Sequence, residues 1–403
     1  MTSLQRKQWG QLLSLTLVHG VSDTYVGLIA PILVPLAKHY QVSLPSLIFI
    51  TTLMAFSANV FQILFGHLRS RYGAPHLLCG GVLTAGLAVL IVLLPCTGPI
   101  SIVWMALMVF VAGIGVAAVH PEGFRAIHGL TEIPAALTTS IFMVSGFLGF
   151  AAGALLASTI TQFFGLHAIA WLYLMAPLAA VPLYLTRLRL PLDTDTHTTP
   201  QNKTDTIPSV PYLPLFVVAS LVAFCSQTQA TLLPSYLHKE VGYSLWFSGL
   251  SFTLFGIGGG IGSITWSALA NRIGHLNILK AATLLGAPMT LLYLLWAPHS
   301  AWAAAFLMLT AFFIYASFPF CMTLARYAHS SLRFGQRMGF ISGGSWGIAA
   351  VLLWCLGPLT TKIGIGPLLH LIWVGYALAA IIAFSAFRRV NTAPSQTPPE
   401  PVS

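Results

Sequence analysis

Twelve apolar stretches, each about as long as a bilayer is thick, constrain the fold of this 403-residue chain more than any other feature. A membrane-spanning helix needs about 20 apolar residues, and charges, glycines, prolines and polar turns divide the chain into stretches of that length. The predicted spans cover residues 11–37, 46–67, 75–95, 100–122, 135–160, 166–187, 212–236, 245–269, 276–297, 301–327, 337–360 and 366–387. We therefore predict an all-α integral membrane protein with twelve transmembrane helices.

Composition excludes the main soluble classes. Only 6% of the residues are charged, against about 25% in soluble domains, so a soluble enzyme or a disordered chain is not expected. The net charge of +10 is spread over loops without a dense basic run, which predicts a lipid bilayer rather than nucleic acid as partner. The stretch 11–37 is longer than a signal-peptide core of about 7–15 residues, and we interpret it as a retained first span.

The distribution of basic residues predicts the orientation. With the N-terminus inside, the inner segments contain fifteen lysines and arginines, and the outer loops contain only Lys38, Lys239 and Lys362. Basic residues concentrate in cytoplasmic loops of membrane proteins. We expect a multi-pass protein of the cytoplasmic (inner) membrane with both termini in the cytoplasm.

One polar segment divides the predicted spans into two sets of six. Residues 188–211 contain DTDTHTTPQNKTDT, which cannot form an apolar core and is typical of a linker. We predict six-helix bundles over residues 1–187 and 212–388, joined by this cytoplasmic linker. The proline-rich tail, residues 389–403, is predicted to be disordered.

The two sets of spans carry an internal repeat. SDT at residues 22–24 matches SQT at 226–228, and GFLGFAA at 146–152 matches GSWGIAA at 344–350. The offsets of 204 and 198 residues are close to half the chain length. Two repeated six-helix halves are an architecture of transporters, whose substrate site lies near the membrane midplane between the repeats.

The loop after the second predicted span resembles a signature of the major facilitator superfamily. GHLRSRYG at residues 66–73 is similar to the family pattern G-x-L-a-D-R-x-G, and SALANRIG at 267–274 is its second copy. Serine and asparagine replace the aspartate of the pattern in the two copies. The resemblance implies the major facilitator fold and a gating role for Arg71 and Arg272.

Three further segments resemble the fosmidomycin-resistance branch of drug exporters. They are HGVSD at residues 19–23, HPEGFR at 120–125 and SIFMVSGFLG at 140–149. Met143 and Phe147 stand where that branch has glutamine and asparagine. The resemblance implies proton-coupled efflux of a small molecule or drug by alternating access, together with membership of a drug-resistance family of antiporters.

Asp23 is the main candidate for proton coupling. It lies near the middle of the first predicted span, where a charge costs about 2.5–3.5 kcal/mol to insert, and His19 lies on the same helical face. A His–Asp pair in a low-dielectric cavity can exchange protons near neutral pH. The alternative is a hydrogen bond that fixes this span against a neighbouring helix.

The repeat also supplies candidates for substrate binding. Gln227 is the counterpart of Asp23 in the second half, and Ser226 and Gln229 are close to it in sequence. Glutamine cannot titrate but can hydrogen-bond a substrate. We predict a substrate site that includes Asp23, Tyr25 and these three residues.

A second polar group closes the fourth predicted span. Glu122 and Arg125 have the i,i+3 spacing of a helical ion pair, and we expect Pro121 to break the helix so that His120 and Glu122 both reach the cavity. The functional hypothesis is a gate that responds to protons or substrate, with His120 and Glu122 as further proton carriers. The alternative is a fixed ion pair with a core histidine.

Enzyme chemistry is not expected. The five cysteines are isolated, no metal-ligand spacing occurs, and GIGGGIG at residues 256–262 lies in an apolar span, where it predicts close helix packing rather than a phosphate loop. We predict no cofactor, no metal and a monomer. Proton-coupled uptake of a metabolite and a transport-inactive membrane sensor or scaffold remain as alternative functions.

Overall fold

The computed structural model describes residues 2–67, 75–133, 135–189, 207–296, 302–332 and 334–390. The prediction of twelve membrane spans is confirmed: twelve helical segments are long and apolar enough to cross a bilayer. Within the described ranges the only β-type pairing is an isolated bridge between Pro211 and His329. The protein is therefore an all-α membrane protein.

The spans are numbered 1–12 in chain order, and several consist of more than one helix. Their α-helices are Ser3–Leu28 and Leu33–Tyr40 (span 1), Leu44–His67 (2), His76–Ala85 (3), Pro99–His128 (4), Ala135–Phe164 (5), Met175–Leu185 (6), Tyr212–Lys239 (7), Leu245–Ile273 (8), His275–Trp296 (9), Ala303–Ile314 and Ser317–Tyr327 (10), Phe334–Gly339, Ser345–Leu356 and Thr360–Ile363 (11), and Gly366–Ala386 (12). A 3₁₀ segment, Gly86–Leu93, completes span 3, and another, Leu166–Leu174, begins span 6.

Two spans extend well beyond their predicted ends. Span 1 begins at Ser3, where the Thr2 hydroxyl caps the helix by accepting a hydrogen bond from the Gln5 N–H at 3.0 Å. Span 4 continues without interruption through Pro121 to His128. The predicted break at Pro121 is therefore wrong, because loss of a single backbone donor is tolerated in a helix packed against neighbours.

Small residues bring the spans together at close range. Gly149 of span 5 lies against the backbone of Gly20 in span 1, where a side chain on Gly149 would not fit. Gly258 of span 8 contacts the backbone of Met308 in span 10 in the same way. The predicted packing role of the glycine run in span 8 is confirmed.

The two halves, spans 1–6 and spans 7–12, meet along two pairs of helices. Span 2 packs on span 11, and span 5 packs on span 8. Most of the predicted linker and tail, residues 190–206 and 391–403, lies outside the described residues. The last part of the predicted linker is packed rather than extended in solvent: Val210 is fully buried, and its carbonyl accepts a hydrogen bond from the His329 N–H at 2.8 Å.

Candidate functional site

A cavity of about 700 Å³ lies between the two halves. Spans 1, 4 and 5 form one side of its wall, and spans 7, 10 and 11 form the other. The lining residues are His19, Asp23, His120, Phe124, Met143, Gly146, Phe147, Val222, Ser226, Ile314, Tyr315, Ser317, Phe318, Pro319, Met322, Thr323, Met338 and Trp346. These residues lie at the middle of their spans or toward the end of the bundle at which the chain begins, called here the near end.

The halves are in contact at the opposite, far end. The Thr253 hydroxyl of span 8 donates to the Ala151 carbonyl of span 5 at 2.6 Å. One turn or more beyond it, the Trp246 N–H donates to the Gln162 side-chain oxygen at 2.8 Å. A void of only about 40 Å³ remains between spans 1, 2, 5, 7 and 8 on this side. The structure therefore has its cavity toward the near end and a packed far end.

Asp23 is held between two histidines in the cavity wall. His19 Nε2 lies 3.4 Å from Asp23 Oδ2, and His120 Nε2 of span 4 lies 3.3 Å from Asp23 Oδ1. The two imidazole rings are edge to face, with centroids 5.0 Å apart. Each carboxylate oxygen thus faces a different ring, and one carboxylate can interact with both rings.

Backbone carbonyls fix the orientation of both rings. His19 Nδ1 donates to the Phe142 carbonyl at 2.8 Å, and His120 Nδ1 donates to the Val116 carbonyl at 3.0 Å. A carbonyl oxygen can only accept, so each Nδ1 must carry a hydrogen. In a neutral ring the Nε2 atom then presents a lone pair. Each Nε2 can therefore donate a hydrogen bond to Asp23 only when its ring carries a second proton.

Span 5 leaves room for this cluster by having a glycine opposite it. A Cβ atom on Gly146 would lie 2.5 Å from both Asp23 Oδ2 and His19 Cε1. Phe142, one helical turn earlier, stacks on the His19 ring with centroids 4.0 Å apart and planes at 8°. The glycine and the phenylalanine together determine the position of the His19 side chain.

The cluster has the donor atoms for a cation as well as for protons. His19, Asp23 and His120 each offer one ligand atom, and these atoms lie within 4.8 Å of one another. Two imidazole nitrogens with one carboxylate oxygen, facing an open cavity, are a set that can coordinate a divalent metal. Sequence spacing alone did not predict this group, because His120 is about a hundred residues from His19.

Glu122 and Arg125 form the expected i,i+3 ion pair, but they do not line the cavity. Glu122 Oε2 lies 3.2 Å from Arg125 Nη2, and the two side chains are 2% and 9% exposed. Because the helix is continuous at Pro121, Glu122 points away from the face that carries His120. The expectation that both reach the cavity is wrong.

Three of the five predicted substrate residues lie elsewhere in the bundle. The Tyr25 hydroxyl donates to the Leu172 carbonyl of span 6 at 3.0 Å and is fully buried. Gln227 lines the small far-end void, where its amide donates to the Thr231 hydroxyl at 3.1 Å. Gln229 is 2% exposed and is not part of the cavity wall. These positions correct the predicted substrate site.

The last three predicted site residues are Ser226, Arg272 and Arg71. Ser226 lines the cavity beside Val222. Arg272 is exposed in the last turn of the helix that forms span 8, away from the cavity. Arg71 lies outside the described residues.

Sequence reasoning missed the aromatic part of the wall. Tyr315, Phe318 and Trp346 all come from the second half. The internal repeat could have indicated these residues. Pro319 lies 198 residues after Pro121, and the same offset separates GFLGFAA at residues 146–152 from GSWGIAA at 344–350. The residues around Pro319 therefore occupy the place in the second half that HPEGFR occupies in the first.

Comparison with known proteins agrees with this architecture. A model of the Major Facilitator Superfamily matches residues 15–330. The chain is 26% identical over 360 residues to the fosmidomycin resistance protein of Escherichia coli (strain K12), a similarity that covers 86% of this chain and 84% of the relative.

Solved transporter structures share the fold. The peptide transporter POT in complex with sulfate superimposes with a TM-score of 0.71 at 14% identity, covering 96% of this chain and 99% of that one. A bacterial homolog of the human lysosomal transporter Spinster, in an inward-facing and unoccupied conformation, has a TM-score of 0.69 at 15% identity, covering 95% and 97%.

Proposed function

This chain belongs to the Major Facilitator Superfamily, and we propose that within it the protein expels a small molecule in exchange for protons. It is a membrane transporter and not an enzyme. The observation that carries the proposal is the His19–Asp23–His120 cluster in the wall of the central cavity. An ionisable group at this depth costs free energy to insert and marks a functional site, and this one faces the space that a substrate would occupy.

The cluster has two positions for a mobile proton. Each gap between a histidine Nε2 and an Asp23 oxygen holds a hydrogen bond only when a proton occupies it, because Nδ1 of each ring already donates to a carbonyl. When both gaps hold a proton, the two histidine Nε2–H groups attract the Asp23 carboxylate. With both empty, lone pairs face lone pairs and the three side chains repel each other. Protonation therefore changes both the charge and the compactness of the cluster.

This coupling gives alternating access a driving force. In the present state the cavity lies toward the near end, and the far end is closed by contacts between spans 5 and 8. If the near end is cytoplasmic, as the basic residues of the loops indicate, this is the state that loads substrate from the cell. Substrate would displace protons here, and protons entering from the far side would displace substrate in the other state.

The Glu122–Arg125 pair is proposed to act in gating from behind the cavity wall. Both charges lie inside the first half, two to five residues after His120 on the same helix. A buried pair of this kind is sensitive to small movements, because separating it leaves uncompensated charges. Arg71 and Arg272 remain proposed gating residues on the strength of the loop pattern alone.

Two observations favour export over the alternatives. The Escherichia coli relative is named for resistance to fosmidomycin, and resistance by a transporter is most simply removal of the compound. An open cavity with titratable groups in its wall is more than a sensor or scaffold requires. A monomer remains the proposed working unit.

A comparison of cells with and without the gene tests this proposal. Tolerance is measured over a compound panel that begins with fosmidomycin, and active compounds are followed in inverted membrane vesicles with a pH gradient imposed or collapsed. Export predicts lower tolerance without the gene and accumulation in vesicles that stops when the gradient collapses. Accumulation that ignores the gradient would contradict proton coupling, and loss of growth on a nutrient would indicate uptake instead.

A further inference from the structure

The charges in the cavity wall are one-sided. Asp23 is the only carboxylate among the described lining residues, and none of them is a lysine or arginine. An organic anion would find no permanent positive charge there. Apart from the cluster, the polar side-chain groups of the described lining residues are the hydroxyls of Ser226, Tyr315, Ser317 and Thr323 and the indole N–H of Trp346. The wall is therefore built for a cation or a neutral compound.

The cluster offers three hydrogen-bond acceptors to an ammonium group. With Nδ1 of each ring tied to a carbonyl, a neutral His19 and a neutral His120 both point an Nε2 lone pair at the space around Asp23. The three acceptors lie within 4.8 Å of one another. Charge-assisted hydrogen bonds of about 2.8 Å around a tetrahedral nitrogen place their acceptors about 4.6 Å apart. The two Nε2–carboxylate separations, 3.4 and 3.3 Å, are shorter than this. A primary ammonium, with three donors, can therefore satisfy all three acceptors once both gaps widen by about 1.2 Å.

Aromatic rings extend from this polar end. Phe147, beside Gly146 in span 5, contacts Tyr315 of span 10 edge to face with centroids 5.7 Å apart. Phe318 and Trp346 form a second edge-to-face pair at 5.3 Å. Aromatic faces attract organic cations, and the three methionines of the wall can adapt to different apolar shapes. A volume of about 700 Å³ is within the range of drug-sized ligand sites.

We propose that the substrate is an amphipathic organic amine, whose ammonium binds His19, Asp23 and His120 while its apolar body packs against the aromatic rings. The inference rests on the proposed function only in taking this cavity as the transport site.

The same geometry makes amine binding and protonation mutually exclusive. An ammonium can reach the two Nε2 lone pairs only when the gaps to Asp23 hold no proton, so an amine that binds displaces to water any proton held in either gap. The titratable groups facing Asp23 are His19 from span 1, His120 from span 4 and Tyr315 from span 10, whereas span 5 faces it with Gly146. Exchange of amine for proton is thus a property of one site.

Calorimetry on the purified full-length protein in detergent tests the proposal. The probes are tryptamine, its neutral analogue tryptophol and its acidic analogue indole-3-propionate, which share one ring system and differ in the terminal group. We expect tryptamine to bind at least about tenfold more tightly than either analogue. Titration in two buffers with different ionisation enthalpies should show proton release with tryptamine only. Equal affinities, tighter binding of the acid, or no tryptamine binding at millimolar concentration would overturn the proposal.

Variants locate the effect. Asp23→Asn should abolish the preference for tryptamine over tryptophol, whereas Glu132→Gln, the same chemical change at an exposed residue, should keep it. A preserved preference in Asp23→Asn overturns the assignment. If Asp23→Asn does not fold, the discrimination by the unchanged protein among the three probes still decides.

The amine site and proton antiport can be tested separately. Tryptamine binding with proton release, but no pH-driven movement in proteoliposomes, would support the amine site and contradict antiport. Transport of neutral or acidic compounds driven by a pH gradient, without amine preference, would support antiport and overturn the amine site.

Discussion

Replacing Gly146 by alanine tests the cluster without touching any titratable group. The new methyl carbon would lie 2.5 Å from Asp23 Oδ2, whereas ordinary contact begins near 3.4 Å. The carboxylate, the His19 ring or span 5 must therefore move by 3.4 − 2.5, or about 0.9 Å. A shift of that size away from His19 takes the present 3.4 Å separation beyond the reach of a hydrogen bond.

The cost of this change sets the expected loss of activity. Adding a methylene to a packed interior costs about 1–3 kcal/mol, and about 1.36 kcal/mol is a tenfold change in rate. If the cost falls on the protonated, compact cluster, pH-driven transport should fall by about 5- to 150-fold. The same overpacking lowers the stability of the folded bundle by up to about 1–3 kcal/mol, so transport is compared at equal amounts of folded protein.

Gly344 provides a matched control. It occupies the equivalent position in the repeat, 198 residues later, and a Cβ atom there would lie 3.5 Å from the Phe216 ring, which is ordinary contact. Both variants are reconstituted at equal protein density, and substrate accumulation is measured under an imposed pH gradient. Gly344→Ala should transport at close to the original rate. A well-folded Gly146→Ala protein that also does so would refute a role for the compact cluster.

Three other predictions address coupling, gating and topology. Asp23→Asn keeps the shape of the side chain but removes its titration, so pH-driven accumulation should be lost; undiminished accumulation that still collapses with the gradient would show another proton route. Glu122→Gln and Arg125→Ala should each slow transport several-fold at unchanged membrane abundance, because each removes one member of a buried ion pair; original rates in both would mean a purely structural tie. In a background without native cysteines, Lys362→Cys should react with an impermeant thiol reagent on intact cells and Arg388→Cys should not; the reverse pattern would invert the proposed orientation.

The fold was predictable from sequence because span length and charge placement are local properties. Each apolar stretch was recognisable on its own, and twelve spans are present. The ends were less predictable, since polar residues that are paired inside the bundle lengthen a helix. Gln8 is an example: it counts as polar in a hydropathy window, yet its side chain is 7% exposed and accepts a hydrogen bond from the Glu132 N–H at 2.7 Å.

Two of the errors at the site, Tyr25 and Glu122, have one geometric cause. Residues two apart on a helix point about 200° away from each other, so Tyr25 cannot share the cavity with Asp23, and Glu122 cannot share it with His120, unless the helix breaks. The helix does not break at Pro121. His19 and Asp23 are four residues apart, so the same helical geometry places both on one face and allows them to pair. What no local pattern contains is the approach of span 4 to span 1, which adds His120.

The two halves of the repeat contribute different kinds of side chain to the cavity. The first half supplies the carboxylate and both histidines, and the second supplies hydroxyls and most of the aromatic rings. Glutamine replaces aspartate in the second copy of the repeat, and Gln227 lines the small far-end void rather than the cavity. If both halves carried a carboxylate, two charges would compete for one proton pathway. Under the proposed mechanism, concentrating the charge in one half and the apolar contacts in the other would let a single bound molecule link the halves while only one half responds to the proton.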